Sequence, residues 1–141
     1  MSKISMSTKV GVPAEKVWEM IGGFNDLADW HPAIAKSELE EEGGATIRTL
    51  HLVGGGVVRE RLEMTDEEGR AYTYSIIESP LPVANYSATI RVSGEGDDCT
   101  IEWSSDFNPM GAPENDAVEA IQGIYQAGFD NLQKIELQDF G

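Results

Sequence analysis

Positive charge is scarce in this chain. Ten lysines and arginines stand against 25 aspartates and glutamates in 141 residues, for a formal net charge of −15. Nucleic-acid backbones and anionic bilayer surfaces attract basic proteins, so neither is an expected partner. Cysteine is nearly absent. The single Cys99 rules out an internal disulfide and a thiolate metal cluster, and it follows Asp97 and Asp98 rather than the electropositive setting of a reactive thiolate. The two histidines, His31 and His51, have no third ligand at metal spacing, so no zinc site is expected. No apolar run is long enough to cross a bilayer, and MSKISMSTKV at the start lacks a hydrophobic signal core. The expectation is a cytoplasmic protein without membrane insertion. No serine sits in a nucleophile elbow. Gly54-Gly55-Gly56 lacks the Lys-Ser/Thr of a phosphate loop. No repeat or linker interrupts the chain, which reads as a single domain over 1–141. No cofactor is implied.

What the chain does have is one long amphipathic stretch, Glu114 to about Leu137. Val118, Ile121, Tyr125, Phe129 and Leu132 recur at helical spacing, with Ala117, Ile124 and Ile135 beside them. Pro113, Glu114 and Asp116 suit a helix N-terminus. Such a helix spans roughly 35 Å. Ala117, Ala120, Gly123, Ala127 and Gly128 put little volume among the bulky residues, and Asn131 follows them. Interior glycine costs a helix up to about 1 kcal/mol, so two of them ask for a reason. Either another element packs closely there, or space is left for something that is not protein. The helix alone leaves both readings open.

The rest of the chain reads as strand, two short helices, then six strands. Lys3 to Val10 alternates like a half-buried strand. Pro13 opens a helix over Ala14 to Ile21, which Gly22-Gly23 ends, and Asn25 can cap a second through Leu27 and Ala28. Strands follow at Ile34 to Glu40, Ala45 to Val53, Val57 to Thr65, Ala71 to Ser79, Asn85 to Ser93 and Cys99 to Phe107, separated by glycine-rich turns. A seven-stranded antiparallel sheet with its helices segregated from it is an α+β fold.

Alternation sorts each strand into two faces. Glu60 shares the apolar face of its strand with Val58, Leu62 and Met64, where a carboxylate needs a cation, donors or water. Tyr86 and Tyr74 bring hydroxyls to the same side. Lys36 shares a face with Ile34 and is a candidate counter-charge for Glu60; the plain alternative is a lysine snorkelling at a strand end and a Glu60 at an edge. Trp103 and Phe107 alternate inward, Glu102 outward.

Three stretches in order, VPAEKVWEMIGGFNDLADWHPAIAKSE, RERLEMTDEEGRAYTYSIIESPLPVANYSATI and FDNLQKIEL, resemble the START-like helix-grip superfamily, SRPBCC. That superfamily includes polyketide cyclase/dehydrase-like proteins, lipid-transfer domains, birch-pollen-allergen relatives and plant abscisic-acid receptors. The resemblance implies a curved seven-stranded sheet gripping the long helix, two short helices after the first strand, and a cavity between sheet and helix for a hydrophobic or amphipathic ligand. It favours open space along the small helix face, at Gly123 and Ala127. It carries the receptors' ligand-carboxylate lysine onto Lys36, and their water-network positions onto Glu60, Tyr86, Glu102 and Asn131. A flap falls on Val53 to Val57 and a second lid on Pro80 to Val83. These read GGG and PLP where the receptors carry a longer flap and His-Arg-Leu, which speaks against hormone reception. For Glu102 the resemblance conflicts with alternation; a bulge reconciles them.

The leading expectation is a binding module, monomer or homodimer, for a small hydrophobic or amphipathic molecule (lipid, polyketide-like or isoprenoid-like), with Lys36 as counter-charge for a carboxylate or other acceptor on it. Its apolar walls are Leu50, Leu52, Leu62, Tyr74, Ile76, Trp103, Phe107 and Ile124. The alternative is a cyclase, dehydrase or hydrolase using Tyr86 and Glu60 as acid and base. A third reading is a stress-response or co-chaperone-like interaction domain with a residual cavity.

Overall fold

A computed structural model of the chain describes residues 2–135. The elements run β1 (Ser2–Val10), α1 (Ala14–Ile21), α2 (Leu27–Trp30), β2 (Ile34–Glu42), β3 (Ala45–Leu52), β4 (Val57–Asp66), β5 (Ala71–Glu78), β6 (Val83–Ser93), β7 (Cys99–Pro109) and α3 (Glu114–Ile135). Glu136 and Leu137, where the expected helix ends, lie outside the described residues.

All seven strands form one antiparallel sheet in the order β1-β7-β6-β5-β4-β3-β2. Every neighbour except the β1–β7 pair is a hairpin partner, which is what short glycine-rich turns allow. The β3–β4 turn needs its glycines: Gly54, Gly55 and Gly56 all hold φ between +89° and +107°, which other residues rarely adopt.

α3 lies across the concave face of this curved sheet. Its apolar stripe, Ala117, Ile121, Tyr125, Phe129 and Leu132, is buried in one core with Ile90, Ile101, Trp103 and Phe107 of the sheet. Tyr125 stacks on Trp103, ring centroids 4.2 Å apart. Both ends of the helix are tied to β1. Ser2 Oγ donates to Glu114 (2.7 Å), and Gln133 Nε2 donates to the Lys9 carbonyl (2.6 Å). The α1 and α2 segments close one end of the core with Val17, Ile21, Leu27 and Trp30, all buried.

Bulges decide which side chains face inward. In β2, Ile34 pairs with Leu52, but Lys36 pairs with its neighbour His51, so Ala35 is an extra residue. The strand's alternation is reset there, and Lys36 turns outward. In β4 a second bulge between Leu62 and Met64 does the same to Met64, which is 53 % exposed although its parity matches that of Glu60 and Leu62.

Candidate functional site

A cavity of about 210 Å3 lies between sheet and α3. β3 and β4 supply Leu50, Leu52, Val58 and Glu60. β5 and β6 supply Tyr74, Ile76 and Tyr86. Trp103 comes from β7, and Ile121 and Ile124 from α3. Leu27, His31, Ala33 and Ile34 close one side, and Val53 and Leu81 reach in from the β3–β4 and β5–β6 turns. Those two turns touch the same end: a Cβ on Gly56 would lie 3.7 Å from Pro80. Val53 lines the cavity there and is itself exposed to solvent, so that end is the mouth. Moving away from it along β3 and β5, the next inward residues are Arg48 and Tyr72, which are packed against Phe24 rather than open. They form the floor.

The floor is built on an ion pair. Arg48 is completely buried and stands opposite Glu60 in the β3–β4 register. Its Nε (2.7 Å) and Nη2 (2.6 Å) both contact Glu60 Oε1, while Nη1 donates to the Phe24 carbonyl (2.7 Å). The guanidinium also lies 4.1 Å from the centre of the Phe24 ring and 5.0 Å from that of Tyr74. Burial pushes the Glu60 carboxyl up from its ordinary value, and the Arg48 charge opposes this. Burial, the largest single effect, would lower Arg48, but Glu60 together with the Tyr72 and Tyr74 phenols outweighs it and holds the guanidinium above its ordinary value.

Beside the pair runs a chain of phenols. Trp103 Nε1 donates to the Tyr74 hydroxyl (3.0 Å), which lies 3.3 Å from that of Tyr86, and Tyr86 in turn bonds Tyr125. Burial pushes all three phenols well above their ordinary range, so they stay protonated.

His31 sits on the opposite wall, fixed from two sides. Ala33 N–H donates to Nδ1 (3.1 Å), so Nε2 carries the proton and donates to the Ile124 carbonyl of α3 (2.7 Å). Burial lowers its pKa, against the bond to Ile124. This docking explains Gly128. A Cβ there would come within 2.9 Å of His31 Cδ2 and 3.0 Å of Trp30 Cζ3.

Eight of the residues expected at the site line this cavity: Leu50, Leu52, Glu60, Tyr74, Ile76, Tyr86, Trp103 and Ile124. Seven do not. Lys36 is turned out by the β2 bulge; its side chain is 66 % exposed and pairs with Glu38 (3.7 Å), so Arg48 takes the place expected for it beside Glu60. Glu102 is exposed on the outer face of β7, as simple alternation requires. Leu62 and Phe107 belong to the surrounding core, with Phe107 beneath the Tyr86 ring. Gly123 is exposed, with nothing within 4 Å of a Cβ placed on it, and Ala127 is half-buried outside the cavity wall. Asn131 donates to the Trp30 carbonyl (2.8 Å) and holds the α2 segment onto α3.

Arg48 and His31 are the residues that sequence reasoning missed. Arg48 carried a signal, since it shares the inward face of β3 with Leu50 and Leu52. Among the described residues no group of three His, Cys, Asp or Glu is placed to hold a metal ion, and no helix is long and apolar enough to cross a membrane.

A curved antiparallel sheet gripping a C-terminal helix over an internal cavity defines the START-like helix-grip class. Within it, residues 1–135 match the family described as polyketide cyclase / dehydrase and lipid transport, and the chain belongs to that family. Solved structures agree. The protein XoxI from Bacillus cereus is 39% identical, with 98% of this chain and 97% of that one covered and a TM-score of 0.91. A norcoclaurine synthase from Thalictrum flavum is 28% identical over 99% of this chain and 96% of that one, with a TM-score of 0.71. The Zhui aromatase/cyclase from Streptomyces sp. R1128, 20% identical over 99% and 96% with a TM-score of 0.78, shares the fold. No curated protein matches the chain.

Proposed function

We propose that this protein binds a small, mainly apolar molecule in the cavity between its sheet and α3. The observation that carries the reading is the cavity itself: about 210 Å3 of space walled mainly by aliphatic and aromatic side chains, with Glu60, Tyr74 and Tyr86 bringing polar groups to its sheet side. Such walls with a few placed polar groups are what small-molecule sites use. The volume falls below the roughly 300–1,000 Å3 of typical drug-sized sites, so the occupant is small, or its tail leaves through the mouth. A short lipid, isoprenoid or polyketide fragment meets that description.

A second reading, chemistry on the bound molecule, has two observations in its favour. Glu60 and Tyr86 line the same cavity, and a relative of this fold is a synthase solved with a transition-state analogue. Two features weigh against it. Glu60 is tied to Arg48 through Oε1, and the phenols are held far above the range in which they release protons at neutral pH. Binding is therefore the preferred function.

Native mass spectrometry of the purified protein tests it. A bound molecule should appear as an added mass lost on denaturation, and Ile124→Trp, which fills the cavity from α3, should abolish both that mass and the uptake of a hydrophobic dye. Unchanged dye uptake in a folded Ile124→Trp protein would place the ligand elsewhere.

A further inference from the structure

The polar side of the cavity has a definite sign. Arg48 supplies the cation, yet it is not exposed to the cavity: it is sealed by Glu60, the Phe24 carbonyl and the Phe24, Tyr72 and Tyr74 rings. Glu60 does line the cavity, and both Arg48 contacts fall on one of its oxygens, Oε1. Oε2 takes part in neither contact. The Tyr74 hydroxyl accepts a hydrogen bond from Trp103 and lies 3.3 Å from the Tyr86 hydroxyl, toward which its own proton can turn. The one cation expected to draw in an acid, Lys36, is outside on the far face of β2.

Resting on the binding function proposed above, we infer that the cavity selects a neutral molecule with a hydroxyl donor at one end, received by Glu60 Oε2, and rejects carboxylates. The physical argument is one of desolvation. A carboxylate on the wall of a mainly apolar cavity loses water when an occupant enters and is compensated by a donor on that occupant. A hydroxyl on the occupant supplies that donor. A carboxylate occupant would instead set a second negative charge against the first in a medium that screens poorly. Glu60 is thus a specificity-determining residue, and Arg48 a positioning residue whose charge opposes the effect of burial on the carboxyl and which holds it through Oε1.

Three probes of one shape separate the terms: naphthalene, 2-naphthol and 2-naphthoate, titrated calorimetrically at pH 7. The expected order is naphthol tightest, naphthalene weaker by roughly tenfold or more, as for a hydrogen bond to a charged group, and naphthoate weakest. In Glu60→Gln the buried Arg48 charge loses its partner, so naphthoate should gain at least about tenfold relative to the parent. Should Glu60→Gln fail to fold, the paired change Arg48→Met with Glu60→Leu removes both charges together. It should bind naphthalene as the parent does and lose the naphthol preference. Naphthoate binding as tightly as naphthol to the parent, or a naphthol preference that survives the paired change, overturns the inference. If all three probes bind the parent alike, the inference fails while the binding function stands. If none binds, both fail.

Discussion

Gly123 and Gly128 lie five residues apart in one helix, and replacing each by alanine should move stability in opposite directions. Alanine gains about 0.8–1.0 kcal/mol over glycine in a helix interior. At Gly123 nothing offsets this, because the position is exposed and a Cβ meets open space. Gly123→Ala should therefore stabilise by about 0.5–1 kcal/mol. At Gly128 the new methyl group falls 2.9 Å from His31, 3.0 Å from Trp30 and 3.2 Å from Trp103. None of these rings can swing aside. Trp30 is wholly buried, His31 is bonded on both nitrogens, and Trp103 is stacked on Tyr125. Overpacking of this kind costs about 1–3 kcal/mol, and displacing His31 forfeits a hydrogen bond of about 1 kcal/mol. After the helix gain is subtracted, Gly128→Ala should destabilise by about 1–3 kcal/mol. Urea denaturation monitored by tryptophan fluorescence measures both variants, and at this chain length each kcal/mol corresponds to roughly 3–4 °C in melting temperature. Equal signs for the two variants would refute the assignment of Gly128 to close packing and Gly123 to open solvent.

Three further outcomes are expected. Glu60→Leu alone should cost about 3–5 kcal/mol by leaving Arg48 unpaired, and adding Arg48→Met should restore most of it; equal losses in the single and paired variants would remove the ion pair from the account. Because burial lowers the His31 pKa, the folded state keeps the ring neutral while the unfolded chain takes up a proton below about pH 6.5. Stability tied to His31 is then complete above about pH 6.5 and falls as the pH drops toward the folded value; His31→Gln should flatten that slope in a pH series of denaturant melts, and an unaltered slope would clear His31. Lys36→Met should leave ligand uptake unchanged, since the ammonium stands in solvent beside Glu38; a large loss of binding would mean that the β2 bulge is wrongly placed.

Most of the fold was legible in the sequence. The strands begin and end within about two residues of where alternation and the glycine turns put them, because a sheet with one buried face writes its period into the chain. The site was legible only where that period runs unbroken. Leu50, Tyr74, Tyr86 and Trp103 follow it. Lys36 and Met64 do not, because a bulge adds a residue that no composition rule marks. Arg48 was visible as an inward residue, but its pairing with Glu60 depends on the β3–β4 register, which neither strand specifies alone. Glu102 shows the converse: local alternation was right where likeness to distant proteins misplaced it. The glycines of α3 were read as one small face although at about 100° per residue they point about 140° apart, one toward the Trp30–His31 segment and one away from the protein.

The arrangement of the cavity also fixes an order of events. Its charged groups lie at the floor and its exit is ringed by Val53 and Leu81, with three glycines in one of the turns there. An occupant of the proposed kind must thread in head first and leave tail first. This inverts the habit of an amphiphile at an interface, which keeps its head in water. A cargo held this way shows hydrocarbon at the mouth, so another apolar receptacle can capture the tail before the buried donor has let go of Glu60. Release would then be paced by transfer between two greasy surfaces rather than by escape into water.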